Sequence, residues 1–344
     1  MSLGQSIRGI GAKMRNLFGQ RPNDKSDIAA DIGYGNLGNP DSAKPKANRG
    51  KNFWLVTILL AIVPLYYLVG AWLTHRINDD LNYTINDPGA GKSHTVAVVA
   101  ELIDREVNQT KWSPNIQAFE PAALLRVGGN MVNFQTGVVK GISTTVYEME
   151  NRLARMRGTS SADVDMALAR EGLARSADTW LWAGADGEYR KAKDALIRYN
   201  VRLASGQANF EQRGDNLQGL LDHVAFDLGA ASNELDREIL AGRHKFIDFK
   251  ADKVFYYAKG QAYAYFIILR ALREDYGQVI TERHMEKIYE EMLIELASAA
   301  ELQPLIVQNA KPSAMIMPNH LAAEGFYILR ARARLREITD ILQR

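Results

Sequence analysis

Few places in this chain carry side chains whose types and spacing suit chemistry. The run Asp87-Pro88-Gly89-Ala90-Gly91-Lys92-Ser93 ends like a phosphate-binding loop. That motif cradles phosphate on backbone amides and needs a glycine five residues before Gly91, where this chain has Asn86. No strand is expected ahead of it, so a linker is the expected reading. His320 and Glu324 lie four apart, as do His223 with Asp227 and His244 with Asp248. A metal would accept such pairs, but two ligands do not make a site, and charged helices produce this spacing by chance. Asn319, His320 and Glu324 are retained as candidate functional residues, beside the plainer reading of His320 as a satisfied polar residue at a helix start. Glu120, Glu171, Asp186, Asp215 and Asp252 are available for hydrolysis, which needs two carboxylates held several ångströms apart. No Gly-x-Ser-x-Gly nucleophile motif occurs. There is no cysteine, which removes disulfides, thiolate metal sites and cysteine nucleophiles. No catalytic residue, metal or cofactor is assigned. A net charge of +2 over 344 residues makes no case for nucleic acid.

The elements that would position these residues begin with a membrane span. Residues 53–73 read FWLVTILLAIVPLYYLVGAWL, 21 positions without a charge. At about 1.5 Å per residue the run matches a hydrocarbon core of roughly 30 Å. Trp54 and Trp72 sit near its ends, Phe53 opens it, and Tyr66 and Tyr67 lie inside, as interfacial aromatics do. Pro64 is better tolerated in a membrane helix than in a soluble one. A buried core helix is the plainer alternative. A cleaved leader does not fit, because the run is too long, starts far from Met1, and leads into Thr74-His75-Arg76 without a small-residue cleavage site. Lys44, Lys46, Arg49 and Lys51 precede the span, while Arg76 and Lys92 follow it among Asp79, Asp80 and Asp87. The positive-inside rule then expects a single-pass protein with a cytoplasmic N-terminus and the bulk outside, in the periplasm if the source is a bacterium. The expected divisions are a cytoplasmic tail to residue 52, the span at 53–74, a juxtamembrane linker at 75–93, and a helical domain at 94–344.

The tail offers a short amphipathic helix within residues 1–19, or a disordered segment, then a Gly, Asn, Asp, Pro and Lys-rich linker. Past the span the fold class expected is all-α, an extramembrane bundle of seven or eight helices. Helices are expected over Thr95–Val107, from Pro121 to about Arg157, and from a Ser160/Asp163 capping box to about Arg175. Trp180-Leu181-Trp182 should form a packed corner. Further helices follow over Glu188–Ala204, 208–241, 250–275, Thr281–Ala300, and from Asn319 to the C-terminus. Leu217, Leu221, Val224, Leu228, Ala231 and Leu235 make a heptad-like seam, expected to pack within the bundle rather than against another subunit. Arg330, Arg332, Arg334 and Arg336 alternate, so on a helix they do not share one face.

Particular strings resemble a known family. They are Asn133-Phe134-Gln135, Arg157-Gly158-Thr159-Ser160, Arg198-Tyr199-Asn200, Asp215-Asn216-Leu217, Asp227-Leu228-Gly229, Phe255 to Gln261, Pro318-Asn319-His320-Leu321 and Gly325 to Arg332. Together, over roughly residues 75–344, they resemble uncharacterised proteobacterial inner-membrane proteins defined as a domain of unknown function. The resemblance implies a bacterial source and an envelope location, and carries no activity, ligand or catalytic residue. The expected function is a membrane-anchored scaffold or interaction protein with the lipid bilayer, a protein partner or a second copy as its contacts. The alternatives are an envelope hydrolase acting on peptidoglycan or glycans, and a lipid or small-molecule carrier built around Tyr256, Tyr257, Tyr263 and Phe266.

Overall fold

A computed structural model describes residues 49–74, 77–114, 129–154, 162–179, 184–241, 248–304, 306–310 and 318–344. Among them are ten α-helices and no strand, with one isolated bridge between Asn309 and Asn319. The tail before Arg49, Pro121, Ser160, the Trp180 corner and His244 lie outside the described residues.

Helix α1 (Arg49–Thr74) contains the apolar run. Its window Phe53–Gly70 has a mean hydropathy of 2.2 and no buried residue. By length and composition it is one helix able to cross a membrane. Phe53 and Trp54 are exposed, Tyr66 and Tyr67 meet edge to face, Pro64 lies inside the helix, and Trp72 falls in its last turn. A non-helical strap, residues 77–92, follows.

Nine further helices are described: α2 (His94–Asp104), α3 (Asn130–Glu148), α4 (Val164–Leu173), α5 (Ala185–Ala204), α6 (Gly214–Leu240), α7 (Phe249–Asp275), α8 (Gly277–Glu282), α9 (Glu286–Glu301) and α10 (His320–Gln343). Several begin where a side chain takes an otherwise unsatisfied amide. Ser93 accepts from Val96 N, Asp248 from Lys250 N and Ala251 N, and Asn319 from Ala322 N. Asp163 caps α4, its carboxylate accepting from Asp165 N and Met166 N. The helix expected over Thr281–Ala300 is broken into α8 and α9. His284 sits at φ +53°, and the amides of His284 and Met285 return to Thr281 O and Ile280 O. That is a Schellman close, which normally uses glycine at the left-handed position.

All six seam positions of α6 are buried, so the heptad pattern is spent inside the bundle. Helix α7 lies at the centre and packs against α2, α3, α6, α9 and α10. Its closest neighbour is α3. A Cβ added at Gly260 would stand 2.2 Å from Phe134 O, and one at Gly137 would stand 2.2 Å from Tyr257 O. The two backbones touch because neither glycine has a side chain to hold them apart.

Gly260→Ala should therefore lower stability by about 3 kcal/mol through overpacking, moving the thermal midpoint down by about 6–12 °C. Gly187→Ala on α5 meets no atom within 4 Å and should leave the midpoint unchanged or slightly raised. Thermal unfolding of the two variants beside the parent checks the contrast.

Candidate functional site

An open groove of about 630 Å³ lies between the strap, α2 and α5. Tyr83 to Asn86 form one wall, Val96, Ala97, Ala100 and Glu101 a second, and Leu196, Ile197 and Val201 a third. One end is closed by Lys193 Nζ on Asp104 Oδ1 at 2.9 Å. Asn108 and then Lys193 hold the Asp104 carboxyl down to about 2. At the other end Gly91, with φ +75°, lies so close to α5 that a Cβ there would stand 3.2 Å from Ala204 Cα. Burial, and then the nearby Glu101 charge, push the Tyr83 hydroxyl up to about 12, so it stays a neutral donor.

The phosphate-loop resemblance ends here. The first amides of α2 already hold an anion, the Asp275 carboxylate from the end of α7. Ser93 Oγ donates to it at 2.7 Å, His94 N at 2.8 Å and Thr95 N at 2.9 Å. Asn200 completes the corner, accepting from Ser93 N at 2.8 Å and donating to Ser93 O at 3.0 Å. A phosphate would have to displace Asp275 from the positive end of the helix.

The strap is stitched to the bundle by cations from the core. Lys259 is 1% exposed, and its three donors meet Ala300 O at 2.6 Å, Asp79 Oδ2 at 2.7 Å and Leu302 O at 2.8 Å. Arg105, equally buried, pairs with Glu106 at 2.6 Å and lies between the rings of Tyr83 and Tyr263, 4.9 Å from each. Tyr263 OH donates to Asp80 O at 3.0 Å, and Arg270 donates to the carbonyls of Leu81 and Tyr83. Beside Lys259 a smaller pocket of about 300 Å³ is lined by Ile77, Asp79, Asn130, Tyr256, Gln303 and Pro304. None of these cations was singled out from sequence. The available signal was a lone lysine inside Phe255-Tyr256-Tyr257-Ala258-Lys259-Gly260, and a lone arginine after the apolar run of α2, since such charges are buried only when paired.

The three candidates from the sequence lie together at the start of α10 but do different things. Asn319 caps the helix and donates to Asn309 Oδ1 and Ala310 O. His320 Nδ1 accepts from Gln308 N at 3.0 Å, which fixes a neutral ring, and burial lowers its pKa further. Glu324 is fully buried, and neither carboxyl oxygen has a hydrogen-bond partner among the described residues. Burial pushes its pKa well up against the opposing pull of Lys259. His223 and Asp227 part company: His223 Nδ1 lies 3.3 Å from Glu148, whereas Asp227 accepts from Thr144 at 2.6 Å and Tyr265 at 2.8 Å. Asp248 serves as the cap of α7. Among the described residues no three His, Asp or Glu groups are placed to hold a metal ion. Of the acids offered for hydrolysis, Asp186 is held by Arg190 and Asp215 by Arg213, and Glu120 lies outside the described residues. The carrier reading needed free ring surface. Instead Tyr263 packs on Phe134 at 5.7 Å, Tyr256 on Phe255 at 5.2 Å, and Phe266 lies under Arg270 at 5.0 Å. The arginines of α10 meet acids of α9: Arg330 pairs with Glu295 at 2.5 Å and Arg334 with Glu291 at 3.1 Å.

The family model described as an uncharacterized protein conserved in bacteria (DUF2333) matches residues 119–246 and 241–344. No curated protein and no solved structure matches the chain.

Glu324 yields a test of the buried centre. Its folded pKa lies above the unfolded value, so its contribution to stability is full below the unfolded pKa and is lost as pH rises through the folded one. Glu324→Gln should raise the thermal midpoint more at pH 8 than at pH 5. A midpoint difference that stays constant across that range contradicts the assignment.

Proposed function

The chain belongs to this family of uncharacterized bacterial proteins, and on that footing we propose that it is a non-enzymatic interaction or scaffold protein of the cell envelope. Helix α1 anchors it in the inner membrane. The N-terminus lies in the cytoplasm, on the side of Lys44, Lys46, Arg49 and Lys51, and the helical bundle lies in the periplasm. The observation that carries this reading is the strap. Lys259, Arg105, Tyr263 and Arg270 tie the strap residues Asp79 to Tyr83, a few positions past the end of α1 in the sequence, to the centre of the bundle. A flexible tether would let the bundle range far from the bilayer, whereas this one holds it close. Two of the acids available for hydrolysis, Asp186 and Asp215, are engaged in ion pairs with Arg190 and Arg213, which favours binding over catalysis.

A reporter fused at Arg344 that is active only in the periplasm should be active, and one that folds only in the cytoplasm should be dark. The reverse pattern would invert the topology. Crosslinking of the intact protein in native membranes should give a defined partner or a dimer. A monomeric mass with no crosslinked species would count against the interaction role.

A further inference from the structure

Helices α6 and α10 carry a second set of apolar positions, on the face turned away from the core. Resting on the interaction role above, we propose that this face docks a second copy of the chain. The product is a two-fold dimer in which α10 meets α10 and α6 meets α6, each pair antiparallel.

Exposure marks the face. On α10 the exposed residues Ala322, Phe326, Leu329 and Ala333 recur at intervals of 4, 3 and 4. On α6 Phe226, Ala230, Asn233, Arg237 and Leu240 are exposed at intervals of 4, 3, 4 and 3. Such spacing keeps each set in one line along its helix. Phe226 is 72% exposed, Leu240 83%, Phe326 53% and Leu329 46%. The two helices lie side by side and antiparallel, with Arg332 against Gly229 and Leu235 against Gly325. On each helix the exposed line stands about 100° round from that seam, and both lines fall on the same side of the pair.

Symmetry selects the occupant, because a two-fold interface must be its own complement. Read backwards, the α10 line is again small, large, large, small. Laid antiparallel on its copy, it sets Ala322 against Ala333 and Phe326 against Leu329, with the axis midway between Phe326 and Leu329. The α6 line sets Phe226 against Leu240, with the axis at Asn233. These two centres need not agree, yet they do. The register that puts Arg332 at Gly229 and Gly325 at Leu235 puts Asn233 level with the midpoint of Phe326 and Leu329. One axis therefore serves both helices. There Asn233 meets its own copy, and a side-chain amide both donates and accepts. Arg237 and Arg330, beside the lines, are already paired with Glu234 and Glu295, so they offer little to an anionic bilayer, which would also leave Asn233 dry. The four large side chains expose roughly 450 Å², about the apolar share of an interface that buries 800 Å² on each partner. Anchoring of both copies in one membrane raises their effective concentration further.

The chain has no cysteine, so single cysteines report the contact cleanly. The full chain is oxidised in native membranes. Asn233→Cys, on the axis, should form a disulfide dimer. Ala322→Cys should not, because its copy lies about 16 Å away along the helix. Mixing Ala322→Cys with Ala333→Cys chains should restore the bond. In detergent, Phe226→Glu should keep the parent helix content by circular dichroism and weaken self-association at least tenfold by sedimentation. No disulfide at Asn233→Cys, an equal yield at Ala322→Cys alone, or unchanged association of Phe226→Glu would overturn the proposal. Reaction of Asn233→Cys with a membrane-partitioned maleimide instead would assign the face to the bilayer and overturn it too. A chain that crosslinks only to a different protein would remove the dimer and leave the interaction role standing.

Discussion

The bundle depends on one steric condition: the backbones of α3 and α7 must touch. At Gly137 and Gly260 a single added carbon would stand 2.2 Å from a carbonyl oxygen of the other helix. Gly141 extends the same contact, since a Cβ there would lie 2.9 Å from that of Ala264. Close approach brings α7 to the centre, where helices pack on several of its sides and almost every residue from Phe255 to Leu272 is enclosed. A helix surrounded in this way has no solvated face to take its polar side chains. Each must then find a partner inside or carry the cost of lost hydration.

That requirement explains what Lys259 and its neighbours do. A buried ammonium is tolerated when all three of its protons are accepted, and Lys259 finds two carbonyls at the end of α9 together with Asp79 of the strap. The carbonyls at a helix C-terminus carry partial negative charge, so the lysine also closes α9 electrostatically. Tyr263 and Arg270 solve the same problem one and three turns further along by taking strap carbonyls. Ordering of the strap and burial of α7 are thus two sides of one arrangement. Glu324 stands apart, since it is enclosed without a hydrogen-bond partner among the described residues and burial favours its neutral form.

Much of this was legible in the sequence, and the parts that were not share a cause. The apolar run of α1, the seam of α6 and the Asn319 cap are local patterns whose period or residue type states their role. The break at His284 was hidden because a residue other than glycine holds the left-handed position. The roles of Asp275, Lys259 and Arg105 were hidden because each depends on a partner more than 40 residues away or on the other side of the core. The candidates Asn319, His320 and Glu324 did prove to be neighbours. Yet a cap, a neutral ring and an isolated carboxyl are three separate solutions to burial rather than one reactive centre.

The way the strap is held bears on where binding can occur. Tyr263 and Arg270 grip it by the carbonyls of Asp80, Leu81 and Tyr83, and Lys259 needs one carboxylate, that of Asp79. Main-chain grips fix position without reading side chains. Just past them, Thr84 to Asn86 make no backbone hydrogen bond to any described residue. At the α2 end the amides that would draw a free anion are already satisfied by Asp275, so the corner is closed to phosphate. Along the groove beyond that corner, Lys92 and Glu101 each stand without an oppositely charged partner among the described residues.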